Sequence, residues 1–311
     1  MVRSIFSRRR SGMKRHLGIF LRGMAMGAAD LVPGVSGGTV ALITGIYDKL
    51  LQSISAVSLG LVSTWKNEGI QGVWKALNAP FLIALAAGIG TSIVTLSGLL
   101  HHLLEHHKAG LFAFFFGLVA ASIPLVGREI TQRNATTAAL FIAGAAMTFG
   151  VGSLPPLQVE PSLVYLFACG AVAACAMILP GISGSFILLL LGVYSTVIGA
   201  LKAFDLLVIA TVGAGAICGL LGFSKGLKSL LARARNQVMA ALTGLLLGSL
   251  QALWPWKENA ILLHTHSDGR ETWLQTNAWP DSGALLMCLA CAAAGVGLVV
   301  ALQRLGNRLA S

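Results

Sequence analysis

Charged side chains are scarce in this sequence. Asp, Glu, Lys and Arg make up 11% of its 311 residues, whereas hydrophobic residues make up 56%. Soluble domains carry about a quarter charged residues. The mean hydropathy of +0.80, together with repeated apolar runs long enough to cross lipid, excludes an ordinary soluble domain. The sequence predicts an all-α polytopic membrane protein.

Several chemical signatures are also missing. No glycine-rich loop is followed by Lys and Ser or Thr, which excludes a nucleotide site of the P-loop type. The five cysteines lie in apolar runs, where they are typical of small packing residues rather than of disulfides or zinc ligands. We therefore expect no catalytic residue, metal or cofactor, and the sequence leaves open a coupling proton or sodium ion.

Acidic residues are few, and the net charge is +11. A positive net charge would suit binding to nucleic acid. However, 16 Lys and Arg fall in segments predicted on the cytoplasmic side of the membrane (inside), and 4 fall in segments predicted on the opposite side (outside). This positive-inside asymmetry predicts that both termini are cytoplasmic, and it accounts for the charge without a nucleic-acid partner. The inside segments are the basic tails 1–16 and 302–311, with 52–79, 128–136 and 224–236. The outside segments are 101–109, 154–161, 202–205 and 254–282.

One motif occurs twice. The run DLVPGVSGGT at 30–39 returns as MILPGISGSF at 177–186. The positions that match 147 residues apart are Pro33, Gly34, Ser36, Gly37, Gly45 and Tyr47, with Pro180, Gly181, Ser183, Gly184, Gly192 and Tyr194. Proline cannot donate a helical hydrogen bond, and glycine allows unusual backbone geometry. Each copy therefore predicts a broken helix, with the second half starting at Ser36-Gly37 or at Ser183-Gly184.

The motifs organise two predicted repeats, each a re-entrant hairpin followed by three transmembrane helices. The first limb of the first hairpin spans only about 24 Å, short of a hydrocarbon core near 30 Å, so we favour re-entrant hairpins over full spans. Three crossings is an odd number, which predicts that the two repeats have inverted topology. Repeat one (17–153) comprises hairpin 17–51, interfacial segment 52–79 and spans near 80–100, 111–127 and 137–153. Repeat two (162–301) comprises hairpin 162–201 and spans near 206–223, 237–253 and 283–301.

Small residues support this arrangement. The segment 117–123 resembles 244–250, which is a second match between the halves. The Gly-x-Gly pairs at 213–215 and 295–297 lie within apolar runs and predict points of close helix packing.

A helix that restarts inside a membrane protein offers free N–H groups, the positive end of a dipole and a serine hydroxyl, which together suit an anion. The alternative is a pair of kinked helices that pack through small residues, which a duplicated motif makes the weaker interpretation. The candidate binding residues are Pro33, Gly34, Ser36, Gly37, Gly38, Thr39, Pro180, Gly181, Ser183, Gly184 and Ser185.

Arg22 and Asp30 are the charges well inside an apolar run, where charges are costly and usually functional or paired. Arg22 either neutralises the anion or extends to the cytoplasmic headgroups. Asp30 either takes up a coupling proton or orders the Pro-Gly break. Met177 stands at the equivalent place in the second copy, so the halves are not electrically equivalent.

The short outside segment 101–109 contains a cluster of four histidines, His101, His102, His106 and His107. They could bind zinc or respond to pH, but they lack the spacing of a zinc protease motif, and an ordinary exposed turn is the simpler interpretation.

The segment 24–47, together with the second motif at 177–186, resembles the bacterial polyprenyl-phosphate transporter family. The resemblance extends from Arg15 to Arg304. It implies a protein of the bacterial inner membrane that translocates undecaprenyl phosphate, the lipid carrier of cell-envelope sugars. The phosphate headgroup would lie between the two hairpins and the prenyl tail in lipid.

Two other functions fit the same hairpins. One is a secondary transporter or channel for a small anion or other solute. The other is a membrane lipid phosphatase, which would need a nucleophile and acid–base groups near the phosphate. Neither motif contains a His or Cys, so the enzyme is the weaker alternative.

Overall fold

The computed structural model describes residues 2–32, 34–58, 60–265 and 271–310. These residues form thirteen α-helices and one antiparallel pair of strands. The helices of the first half are α1 (Val2–Asp30), α2 (Gly37–Ile43), α3 (Tyr47–Ser55), α4 (Gly60–Ala76), α5 (Ala79–His106), α6 (Lys108–Gly127) and α7 (Ala135–Gly152). The second half has α8 (Leu163–Ile178), α9 (Gly184–Leu190), α10 (Tyr194–Ala203), α11 (Leu206–Arg233), α12 (Arg235–Ser249), β1 (Lys257–Thr265), β2 (Glu271–Asn277) and α13 (Ser282–Ala310).

Five helices of the described chain are long and apolar enough to cross a membrane, namely α5, α6, α7, α11 and α13. The pair α9 and α10 is apolar enough together but bends by 109° at its break. The protein is therefore a multi-pass membrane protein, as its composition predicts. Helix α12, which begins within the predicted inside segment and covers most of the span predicted near 237–253, has only 15 residues.

The chain divides into two compact units that do not coincide with its two halves. Unit 1 contains Met1–Leu100 and Gln158–Val238, and unit 2 contains His101–Leu157 and Met239–Ser311. Each unit thus takes one part from each predicted repeat. The sequence match identifies the equivalent parts, but it does not predict which of them pack together.

Unit 1 contains two helix crossings made in the same way. A Cβ at Gly23 would collide with the carbonyl of Leu85, so α1 and α5 approach closely there. In the second half, a Cβ at Gly170 would collide with the carbonyl of Val212, where α8 meets α11. Glycines 88 and 215 make the reciprocal approaches on α5 and α11. Both crossings depend on backbone that packs without an intervening side chain.

Unit 2 also repeats a crossing, but between helices of different halves. Gly117 on α6 lies against the carbonyl of Ala292 on α13, and Gly244 on α12 lies against the carbonyl of Phe141 on α7. Glycines 295 and 144 return these contacts from α13 and α7. Helix α6 of the first half therefore pairs with α13 of the second, and α7 pairs with α12.

The strands β1 and β2 form an antiparallel hairpin in the segment predicted as an outer loop. At its base, the Trp254 indole donates a hydrogen bond to the Ala278 carbonyl at 2.9 Å. The Lys257 ammonium donates to the Gln251 carbonyl at 3.1 Å and to Asn277 Oδ1 at 2.6 Å. The all-α prediction holds for the rest of the described chain but missed this hairpin.

Helix α4 occupies most of the segment predicted to be interfacial. It exposes the apolar side chains of Trp65, Ile70 and Trp74, and it is kinked at Gly69, where φ is 64°. Its position at the membrane surface stays a prediction.

Candidate functional site

The Pro-Gly breaks of the two hairpins have nearly the same backbone geometry. Gly34 and Gly181 have φ values of 85° and 84°, in the left-handed region that side chains with a Cβ rarely adopt. Ser36 and Ser183 then occupy the N-cap positions of α2 and α9 in extended conformations, with ψ values of 130° and 132°, and only the Ser36 side chain makes a cap hydrogen bond. Both helices therefore start where the motif predicts. Pro33 lies outside the described residues.

A second break follows in each hairpin. Gly45 and Gly192 have φ values of 71° and 72°. The chain then turns into α3 or α10, which divides the second limb of each hairpin into two short helices. The sequence predicts each of these limbs as a single segment, although both glycines belong to the repeated match.

The start of α2 is closed by the chain's own groups. Asp30 Oδ1 accepts a hydrogen bond from the Gly37 N–H at 2.7 Å, and Ser36 Oγ accepts one from the Gly38 N–H at 3.1 Å. The carbonyl of Ser36 accepts from the Thr39 N–H at 3.0 Å. A carboxylate thus occupies the positive end of this short helix, where an anion was expected to bind.

The start of α9 is open by comparison. Met177 replaces the carboxylate, and its side chain lies against Gly184. Within the described chain the N–H groups of Gly184 and Ser185 have no hydrogen-bond acceptor. The hydroxyls of Ser183 and Ser185 lie 2.9 Å apart. Because Ser183 is buried and Ser185 is exposed, this hydroxyl pair reaches the surface of unit 1.

Polar contacts join the first hairpin to the break of the second. Ser36 Oγ donates to the Leu179 carbonyl at 3.3 Å, and the Tyr47 hydroxyl donates to the Ile178 carbonyl at 3.1 Å. Thr39 Oγ1 accepts from the Gly181 N–H at 2.9 Å. Gly38 fits against this backbone, because a Cβ there would lie 2.8 Å from the carbonyl oxygens of residues 177 and 178.

Arg22 lies on α1, half-buried. Among the described residues its guanidinium has no hydrogen bond or ion pair, and Asp30 is bonded to Gly37 instead. Arg22 and Asp30, the two charges predicted within an apolar run, therefore do not form an ion pair with each other. Arg22 remains available to an anion.

The structure thus brings both motifs together within unit 1. Most of their predicted site residues are buried, which leaves Asp30 and Ser185 as the exposed members of the set. Tyr47 was not among the predicted site residues, although it contacts the second hairpin directly. Its recurrence as Tyr194 in the sequence match was the available signal.

The histidine cluster lies at the end of α5. The rings of His102 and His106 stack at 4.4 Å, and His101 Nε2 lies 3.1 Å from a carboxylate oxygen of Glu105. No group of three or more His, Cys, Asp or Glu side chains in the described chain is arranged to hold a metal ion.

The chain is similar to one protein family and to two named bacterial proteins. The model of a family described as undecaprenyl phosphate translocase-like matches residues 26–271. A Vibrio cholerae protein named polyprenyl-phosphate transporter is 44% identical over 301 residues, covering 94% of this chain and 98% of its own. A Staphylococcus aureus protein of the same name is 34% identical over 253 residues, covering 76% and 85%. No solved structure matches this chain.

Proposed function

Because the chain belongs to the undecaprenyl phosphate translocase-like family, we propose that it carries polyprenyl phosphate across the membrane in which it lies. The proposed lipid is undecaprenyl phosphate, recycled for cell-envelope polysaccharide synthesis. The proposed membrane is the bacterial cytoplasmic (inner) membrane, with both termini inside. The names of both relatives and the two Pro-Gly-x-Ser-Gly hairpins support this proposal.

The observation that carries it is the pair of broken hairpins, packed on each other, of which one starts with unused donors. A phosphate monoester presents oxygen acceptors. The Ser183 and Ser185 hydroxyls, bonded only to each other in the described chain, and the N–H groups of Gly184 and Ser185 can bind them with little added charge. Weak charge favours release on the far side. Arg22, which has no partner among the described residues, supplies one positive charge. The remaining proposed contacts are the glycines and hydroxyls of both motifs.

Transport of this kind breaks no covalent bond, so the proposal names no catalytic residue. The headgroup would pass along the hairpins while the prenyl tail stays in lipid, whose apolar environment it already matches. The partners required are the lipid and the bilayer. We propose no resident cofactor or metal, and a proton or sodium gradient is the variable to impose when the driving force is measured.

The test is headgroup exposure in proteoliposomes that contain labelled undecaprenyl phosphate. A membrane-impermeant reagent reports the fraction of phosphate on the outer face over time. We expect protein-dependent exposure, reduced by Arg22→Ala and by Ser183→Ala at equal amounts of inserted protein. No exposure, with or without an imposed pH or sodium gradient, would reject lipid transport and leave a small-anion transporter as the function to assay.

A further inference from the structure

Within the described chain, the hydrogen bonds between the two hairpins use side chains of the first hairpin and backbone groups of the second. Ser36, Thr39 and Tyr47 of the first hairpin bond to backbone groups at the break of the second. The equivalent residues of the second hairpin return none of these contacts within the described chain. Ser183 pairs with Ser185, Phe186 has no hydroxyl, and Tyr194 is 41% exposed with no hydrogen-bond partner among the described residues.

The receiving backbone groups depend on these contacts. Helix α8 ends at Ile178 and Pro180 has no N–H, so no helical donor reaches the carbonyls of Ile178 and Leu179. In the described chain, the Tyr47 hydroxyl is the donor to Ile178 and the Ser36 hydroxyl is the donor to Leu179. Buried backbone groups without a partner are strongly disfavoured, especially in a membrane protein. These hydroxyls therefore hold the break in its observed geometry.

The backbone that these contacts hold is followed directly by the donors at the start of α9. Three residues separate Leu179 from Ser183, and Gly181 between them is fixed by Thr39. Because this connection is short and its residues are buried, a shift of the break moves Ser183 and Ser185 with it. Tyr47 is itself 3% exposed, so its ring is held in place by packing.

We propose that Tyr47 is a positioning residue for transport: its hydroxyl fixes the break of the second hairpin and thereby places the hydroxyls that bind phosphate. This inference rests on the proposed function. Tyr47 does not touch the headgroup in this role and acts through the Ile178 carbonyl. Beyond its own proposed contacts with the headgroup, the first hairpin then also supports the binding site of the second.

The test compares Tyr47→Phe with Tyr194→Phe in the proteoliposome assay. Each change removes one hydroxyl from equivalent positions of the repeat, and only the first loses a hydrogen bond. The readout is the mole fraction of undecaprenyl phosphate that gives half-maximal transport, per folded protein. We expect Tyr47→Phe to raise it about 3- to 10-fold, the effect of one lost buried hydrogen bond, and Tyr194→Phe to leave it unchanged.

A merely structural role would reduce the amount of folded protein and leave this mole fraction unchanged, which would overturn the proposal. Equal effects of the two Tyr variants would overturn it too. If Tyr47→Phe does not fold, Thr39→Ser and Thr39→Val make the same test at the neighbouring contact. The proposal then requires lower half-saturation for Ser than for Val, and equality rejects it. Absence of transport in the unmodified protein would instead reject the proposed function.

Discussion

Asp30 is one side chain that distinguishes the two helix starts in unit 1. Asp30 fills the start of α2, and Met177 leaves the start of α9 without a carboxylate. The sequence shows that the halves differ at this position. It does not show that Asp30 occupies the place expected for the substrate anion, because the seven residues to Gly37 include a left-handed turn whose direction sequence does not fix.

Asp30→Asn and Asp30→Ala separate charge from hydrogen bonding at this position. Asn keeps an acceptor for the Gly37 N–H but loses the charge, whereas Ala loses both, so we expect transport and stability to fall in the order Asp, Asn, Ala. Loss of a helix cap costs roughly 0.5–2 kcal/mol. The measurements are transport per folded protein and thermal unfolding in detergent. Met177→Leu, which preserves volume, is the matched control, and wild-type behaviour of Asp30→Ala would remove this role.

Replacing the serines of the two motifs by alanine should affect stability and transport differently. Ser36 Oγ both accepts from Gly38 and donates to Leu179, so Ser36→Ala should lower transport mainly through stability, by about 1–3 kcal/mol. Ser183→Ala and Ser185→Ala remove hydroxyls bonded only to each other in the described chain, and should lower transport with little change in unfolding temperature. Unfolding curves and transport rates on the same preparations test this contrast. The reverse pattern would place the phosphate at the first hairpin.

Helix crossings in this protein depend on particular glycines. A Cβ at Gly215 would collide with the carbonyl of Phe167, whereas a Cβ at Gly213 would meet no atom within 4 Å. Gly215→Ala should therefore destabilise the protein by about 1–3 kcal/mol, and Gly213→Ala should be neutral. The fraction of monodisperse protein after a heating series measures both. Equal effects of the two changes would contradict a role for the close approach at Gly215, because helix propensity alone would favour Ala at both positions.

The base of the β-hairpin gives a test of orientation and pH together. Burial and the nearby charge of Lys108 lower the pKa of Lys257 to about 8. Since the neutral amine is the reactive form, half of Lys257 is available near pH 8, whereas an ordinary lysine, with a pKa of about 10.4, is almost fully protonated there.

An impermeant amine-reactive reagent applied to intact cells should therefore label Lys257 at a rate that rises about twofold from pH 8 to pH 9 and levels off above pH 9. Lys202, exposed in another predicted outside segment, controls for access. Peptide mass spectrometry gives both rates. Labelling only after the membrane is opened would contradict the predicted orientation, and a rate that climbs through pH 10 would contradict the lowered pKa.

Local rules account for the elements that the sequence predicted correctly. Pro-Gly followed by Ser-Gly fixes the starts of α2 and α9, since proline and the cap act within a few residues. The second breaks depend on left-handed glycines, Gly45 and Gly192, without a proline, and they lie in apolar runs that also suit a continuous helix. The β-hairpin was missed because strand pairing joins residues 257 and 277, and an apolar run alone does not distinguish strand from helix.

The two compact units show what a repeat in the sequence leaves undetermined. Equivalent segments can pack within their own half or with the other half, and the same glycines serve either choice. In unit 1, helices of the same half pack together, α1 with α5 and α8 with α11. In unit 2, helices of different halves pack together, α6 with α13 and α7 with α12. The two motifs share unit 1 because hydrogen bonds join the first hairpin to the break of the second.

Separating the halves tests this arrangement. A chain cut in the exposed segment near residue 157 gives two fragments, 1–157 and 158–311, each of which lacks the helices that its α6, α7, α12 or α13 packs against. We expect either fragment alone to be degraded, and the two expressed together to restore transport. Membrane abundance and headgroup exposure measure the outcome. A stable half on its own would contradict the exchange of helices in unit 2.

The exchange of helices in unit 2 also bears on how such a protein can evolve. A half-length ancestor with these contacts would have completed its fold only by intertwining with an identical copy. Every mutation would then have altered both hairpins at once. A single chain that carries both halves is free of that constraint, so one half can have Asp30 where the other has Met177, and Tyr47 can be buried while Tyr194 is exposed. Different roles for the two hairpins therefore require two separately encoded halves, and a half-length homologue that pairs with itself should carry the same motif in both hairpins.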